Sequence, residues 1–331
     1  MLRLPRFRYH APATVAEAVR ILAGSGPEAM FVAGGTDVYP KMKRRQFGPK
    51  HLVGLRRVAG LRQVEGSAER GLALGANLTL TELAGHDALR RAWPAVGEGA
   101  AVISTPPLRN MGTLGGNLCV DTRCTYYDQT HQWRKAIDFC LKKDGDTCWV
   151  APGSPRCLAV SSSDLAPVMI ALGARYELAG PDGERTVDAS DFYDLDGIRY
   201  LTKRPGEVLT RIHLPPAGEW KTTYRKLRRR EAFDFPICGV AVAVRTNAAG
   251  EVAEARIAVG GVASRPLVMA EAAAALVGRR PTLETIREAA SKTYQSTKAL
   301  DNTDLLPIYR KKMVPIFTER NLRRLLLGES C

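Results

Sequence analysis

Apolar and polar positions along the chain divide it into short elements of both helical and strand period. Behind a Thr14…Glu17 capping-box pattern, apolar residues recur at Val15, Ala18, Val19 and Leu22, and Gly24-Ser25-Gly26-Pro27 ends that predicted helix. Ala29–Val32 reads as a short strand running directly into Ala33-Gly34-Gly35-Thr36-Asp37, and His51–Leu55 as another. Gln63–Gly75 predicts a hairpin turning near Ala68–Gly71, followed by helices over Thr79–Ala92 and Pro94–Val102. After an irregular stretch, a capped helix opens at Ser163-Asp164-Leu165-Ala166-Pro167 and runs to Leu172. Strands follow at Arg175–Leu178 and Val208–Leu214, with Pro181-Asp182-Gly183 a turn between strands.

Pro215-Pro216-Ala217-Gly218 is a linker, and the pattern changes beyond it. Thr222–Arg228, Ile237–Arg245 and Val252–Val259 predict an antiparallel meander, with a turn at Asn247–Gly250. Helices are then expected over Leu267–Val277, Thr282–Lys292 and Leu305–Leu327. No internal repeat is visible, and the fold class expected is α+β with a boundary near residue 217.

Composition narrows the class. The chain has 331 residues, 45% hydrophobic and 25% charged, which suits a globular protein of two or three domains and argues against disorder. No apolar run approaches the roughly 18 residues of a membrane span, and Met1-Leu2-Arg3-Leu4-Pro5-Arg6 lacks an apolar segment of signal-peptide length. A cytoplasmic enzyme or enzyme subunit, with no membrane association, is therefore expected. Lys and Arg number 48 against 34 Asp and Glu, a net charge of +14. That excess permits nucleic acid or an acidic protein as partner. The basic residues are interspersed with acidic ones, however, and the densest run, Lys226-Leu227-Arg228-Arg229-Arg230, is short. Without zinc-finger spacing or an RNP-like segment, the expectation is no nucleic acid and an acidic protein partner.

Three features carry chemistry. Gly34-Gly35-Thr36-Asp37 follows a strand, where two glycines let backbone N–H groups approach a phosphate; a plain tight turn is the alternative. It is neither a Walker loop nor a G-x-G-x-x-G fingerprint. Gly112-Thr113-Leu114-Gly115-Gly116-Asn117 is a second close-approach surface, with Thr113 and Asn117 supplying polar groups. Third, Cys124, Cys140, Cys148 and Cys157 are separated by intervals of 16, 8 and 9 residues. Four thiolates so spaced can ligate a [4Fe–4S] cube or a zinc ion. Among these four no close C-x2–4-C knuckle occurs, which favours the cube, and the polarity of the segment argues against spare buried thiols. Cys119 is a further candidate ligand, Cys238 reads as a buried thiol and Cys331 as a tail residue.

Together these segments resemble the flavin subunits of the molybdenum hydroxylases, the xanthine dehydrogenase and carbon monoxide dehydrogenase family. The resemblance begins at Phe7-Arg8-Tyr9-His10-Ala11-Pro12-Ala13-Thr14 and continues through Ala33–Asp37, Arg109–Asn117, Ser163–Pro167, Tyr224-Arg225-Lys226 and Gly260-Gly261-Val262-Ala263. It implies a two-part FAD-binding domain of the PCMH / vanillyl-alcohol-oxidase type over residues 1–217, then a smaller CO-dehydrogenase-flavoprotein-like α/β domain over 218–331. By similarity, Phe31, Val32, Ala33, Gly34, Gly35, Thr36, Asp37 and Val38 wrap the FAD pyrophosphate. Thr113 and Asn117 contact the cofactor from the second loop, and Asp164 and Lys226 lie near the flavin. The bland readings are a helix cap for Asp164 and a surface strand residue for Lys226.

The cysteine segment, inserted at 118–162, narrows the resemblance to flavin subunits of the 4-hydroxybenzoyl-CoA reductases, through Asp121-Thr122-Arg123-Cys124-Thr125, Phe139-Cys140-Leu141-Lys142 and Arg156-Cys157. This implies a [4Fe–4S] cluster on Cys124, Cys140, Cys148 and Cys157. Electrons would pass from ferredoxin through the cluster and FAD to the [2Fe–2S] centres of a small partner subunit and the molybdopterin site of a large one, in a heterotrimer that dimerises. There 4-hydroxybenzoyl-CoA would be dehydroxylated to benzoyl-CoA, and this chain would carry no catalytic residue of its own. The alternatives are a flavin subunit of another hydroxylase, for xanthine, an aldehyde or an N-heterocycle, passing electrons to NAD or another acceptor, and a basic zinc-bearing binding module.

Overall fold

The computed structural model describes residues 2–329, so Cys331 lies outside the described residues. Three sheets organise the chain. The first is parallel, with Arg8–His10 and Ala29–Val32 flanking His51–Gly54. The helix Val15–Ser25 packs on it; Thr14 caps it as expected, Glu17 N donating to Thr14 Oγ1, but the Glu17 carboxylate accepts from Ala13 N and not from Thr14 N, so the full capping box does not close. The second sheet is antiparallel, in the order Val64–Ser67, Gly71–Gly75, Val208–Leu214, Arg175–Gly180, Gly183–Asp188. The third is the expected meander of Lys221–Leu227, Cys238–Thr246 and Val252–Gly260, extended at its edge by Leu267–Val268.

Burial explains the patterns. Every residue of the helix Leu165–Leu172 is buried, because it lies between the second sheet and the third and needs no polar face. The strand Cys238–Thr246 is apolar on both faces for the same reason. Ala241 and Ala243 join the core around Leu165–Leu172, while Val240, Val242 and Val244 pack under the helices Leu283–Ser296 and Pro307–Leu327.

Two predicted helices are cut short. Thr79–Ala92 divides into Leu80–Gly85 and Asp87–Ala92 because His86 takes an extended backbone that starts the second helix. The helix expected from Leu267 forms only over Ala270–Ala274, since Leu267 and Val268 pair with Val259 and Ala258 to complete the sheet edge. Among the described residues no helix is long and apolar enough to cross a membrane.

Candidate functional site

The two glycine-rich loops, far apart in sequence, meet backbone to backbone. A Cβ on Gly34 would stand 1.9 Å from the carbonyl oxygen of Met111 and 3.1 Å from Gly112 Cα, so only glycine permits this approach. Gly35, at φ 73°, turns the chain against the ring of Tyr39. The second loop is anchored in turn: Leu80 N donates to Gly112 O, and Leu114 N to Leu78 O. Phe31 and Val32 direct their side chains into packed clusters, leaving backbone as what they offer a ligand. Ala33 and Gly34 are half-buried and Thr36 is exposed. Val38 begins the helix Val38–Lys43, which Asp37 precedes without a side-chain capping bond.

Thr113 and Asn117 have structural partners. Thr113 caps the helix Leu114–Leu118, accepting from Gly116 N. Asn117 Oδ1 accepts from Ser163 Oγ at 2.8 Å and Leu165 N at 3.2 Å, so it is Asn117, with Ser163, that caps the helix Leu165–Leu172. Asp164 makes no capping bond. Its carboxylate is buried and accepts from Lys226 Nζ at 3.0 Å and Tyr224 OH at 2.8 Å. Lys226, at 1% side-chain exposure, also donates to Val102 O and Asp234 O. Both bland readings therefore fail. Burial raises the Asp164 carboxyl above its ordinary range despite the neighbouring ammonium. Close by in sequence, Ser162 Oγ is buried with no hydrogen-bond partner.

Cys124, Cys140, Cys148 and Cys157 are all buried and line one cavity with Tyr126, Tyr127, Lys142 and Trp149. Burial pushes the Cys124 thiol up to about 12 and the Cys157 thiol to about 11. Cys119 does not line this cavity, packing instead against the core beneath Tyr193 and Tyr200, and Cys238 is a buried core thiol. Among the described residues no three His, Cys, Asp or Glu side chains gather closely enough to hold a single metal ion. A tetrahedral zinc would require thiolate sulfurs about 3.8 Å apart.

Several residues that join these pieces were not singled out by sequence. Arg123 pairs with Asp37 of the first glycine loop and with Asp128, and its guanidinium lies 3.5 Å from the centre of the Phe235 ring. It thereby offsets a carboxylate next to the loop expected to hold phosphate. Lys41 is fully buried, 2.5 Å from Asp121, and Lys142 reaches the other oxygen of that carboxylate at 2.8 Å. Gly197 abuts Cys157, where a Cβ would meet Sγ at 2.8 Å. The cysteine loop is moored to the C-terminal region as well. Thr125 N donates to Asn302 O, Asn302 Nδ2 to Leu158 O and Ser161 N to Ala263 O, while the buried Arg310 holds Asn302 Oδ1. Only the Arg123-Cys124 and Lys142 neighbourhoods carried a local signal, in charges flanking cysteines. The remaining contacts are long-range.

Comparison with known proteins gives a consistent result. Residues 5–217 match the family profile described as FAD binding domain in molybdopterin dehydrogenase, and residues 222–325 the CO dehydrogenase flavoprotein C-terminal domain. The chain is 32% identical over 322 residues to the carbon monoxide dehydrogenase medium chain of Afipia carboxidovorans, covering 96% of each. It is 32% identical over 307 residues to an aldehyde oxidoreductase FAD-binding subunit of Escherichia coli, covering 88% of this chain and 92% of that one. Among solved structures, a reconstituted CO dehydrogenase from Oligotropha carboxidovorans superposes with TM-score 0.79 at 29% identity, covering 99% of this chain and 100% of that one.

Proposed function

The chain belongs to the FAD-binding subunit family of the molybdenum hydroxylases, and from that premise we propose that it is the electron-transfer subunit of such a complex, holding FAD and, in its cysteine loop, a [4Fe–4S] cluster. The observation that carries the reading is the convergence of four buried cysteines on one cavity, joined through Arg123 to the glycine loop. Bound there, FAD supplies reversible one- and two-electron exchange and the cluster one-electron exchange.

The chain's own residues would bind and orient. Gly34 and Gly35, with Ala33, Thr36 and Val38, bring backbone against the pyrophosphate, while Thr113 and Asn117 shape the second loop. Asp164 and Lys226 form a buried polar pair suited to the flavin side of the site, where the ammonium favours negative charge. The four thiols would reach iron as thiolates, their binding offsetting the raised cost of deprotonation in a buried cavity. What supports a polynuclear centre is the donor set, four cysteines on one cavity wall. The relatives named medium chain or FAD-binding subunit support larger and smaller partner subunits, which in this reading would carry the molybdenum and [2Fe–2S] centres. The partner subunits would decide the substrate.

A second reading, dehydroxylation of 4-hydroxybenzoyl-CoA with ferredoxin as donor, is favoured by the cysteine loop alone. Assaying the purified complex with 4-hydroxybenzoyl-CoA, an aldehyde and xanthine distinguishes the two.

Anaerobic purification with partners, followed by iron, sulfide and flavin analysis, tests the proposal. About four irons, four sulfides and one FAD per chain are expected. FAD without iron overturns the cluster, and absence of both overturns the whole reading. Gly197→Ala, whose Cβ would press on Cys157 Sγ at 2.8 Å and Ala159 Cβ at 2.9 Å, is expected to lose most of its iron while keeping FAD. Gly153→Ala, within the cysteine loop but with nothing within 4 Å, should keep both.

A further inference from the structure

Beside the cysteine cavity lies a cluster of buried cations. Lys142 lines the cavity and its ammonium donates to Asp121 Oδ1 at 2.8 Å, Thr122 Oγ1 at 2.8 Å and Gly197 O at 2.5 Å, Gly197 being the residue packed on Cys157. Lys41 holds the other oxygen of Asp121. The ring of Tyr127, itself part of the cavity wall, lies 4.7 Å from one ammonium and 5.0 Å from the other. Two ammoniums thus share one carboxylate at side-chain exposures of 1%, 6% and 7%. Arg134 is fully buried nearby in the same loop, donating to Arg44 O while Nε and one terminal nitrogen have no partner. Asp128, partly buried, is shared among Lys41, Arg44 and Arg123, and Asp37 also pairs with Arg123; the surplus that remains rests on Arg134 and Arg44.

Burying a charge without its opposite is costly, and a purely structural role would be met as well by apolar side chains. A net positive pocket wall asks for an anion. Four thiolates around a [4Fe–4S] core leave the oxidised centre with two negative charges, and one added electron makes three.

We propose that Lys142, backed by Lys41 through Asp121, is a positioning residue that provides the counter-charge of the cluster and raises its potential by favouring the more negative, reduced state. The inference rests on the cluster reading above. The step is an electron transfer alone: one electron enters from a chemical reductant such as dithionite, and no bond forms or breaks.

The experiment is an EPR-monitored redox titration of the purified complex with Lys142→Met and Lys142→Arg, with iron measured on each. Lys142→Met is expected to keep its iron and to be roughly tenfold harder to reduce, a shift of about 59 mV to more negative potential. Lys142→Arg should titrate near the wild type. Full iron with an unshifted potential in Lys142→Met overturns the inference. If Lys142→Met loses iron, Lys142→Arg decides: iron retained at the wild-type potential supports the charge role, and iron lost or a shifted potential overturns it. Iron absent from the wild type is a different outcome, the failure of the cluster reading itself.

Discussion

Gly34→Ala is expected to purify with about a tenth or less of the wild-type flavin. The new methyl would sit 1.9 Å from the Met111 carbonyl oxygen, and both atoms belong to backbone held by other contacts. The Met111–Gly112 segment cannot yield freely, because Gly112 O accepts from Leu80 N and a Cβ on Gly112 itself would already touch Leu80 and Leu108. The loops must separate, and overpacking of this kind costs about 1–3 kcal/mol, where 1.4 kcal/mol is tenfold in binding. Flavin absorbance per chain and titration of FAD into the stripped complex measure the effect. Gly24→Ala, at a position with nothing within 4 Å, is the control. Stoichiometric flavin in Gly34→Ala would remove the glycine contact from the site.

Lys226→Met should be strongly destabilising. It leaves the Asp164 carboxylate buried with only Tyr224 OH as partner, and breaking a buried pair this way costs about 3–5 kcal/mol. Burial already raises the Asp164 carboxyl, and loss of the ammonium raises it further. The sign follows. With its folded value above the unfolded one, the folded chain holds a proton that the unfolded chain has lost, so stability falls as pH rises above the ordinary carboxylate value of about 3.9. The deficit of Lys226→Met relative to wild type should therefore shrink as pH is lowered toward that value, where Asp164 is neutral and needs no counter-ion. Adding Asp164→Asn should restore much of the loss. Denaturant unfolding across pH provides the measurement, and a deficit independent of pH would show that packing, not charge, was lost.

Much of this was legible locally. The Thr14 cap, the glycine turn after Ala29–Val32, the meander past the proline linker and the four cysteines are short-range patterns, and the FAD-binding and CO-dehydrogenase-like architecture expected from them is the one found. What escaped was set by distance along the chain. Nothing near Lys41 announces that it will be buried against Asp121, and Gly197 looks like a turn glycine until Cys157 is placed against it. The basic run at 226–230 illustrates the same limit. Lys226 reads as a surface strand residue, yet its side chain is buried against Asp164 and Arg228 donates to Val102 O, while Arg229 and Arg230 stay exposed. The polarity of the cysteine segment misled in the opposite direction, since its charged side chains are drawn inside the fold, Lys142 and Lys41 onto Asp121, and the thiols are buried with them.

The mooring of the cysteine loop to Asn302 sets an order of events during synthesis. The last cysteine of the set is residue 157, but both flanks of the loop wait for a residue far nearer the end of the chain, and Arg310, which orients Asn302, comes later still. While the third sheet is still being translated, both flanks of the loop lack these anchors. Anchoring of the loop therefore belongs to the nearly completed polypeptide, although the cavity itself is lined only by residues between 124 and 159.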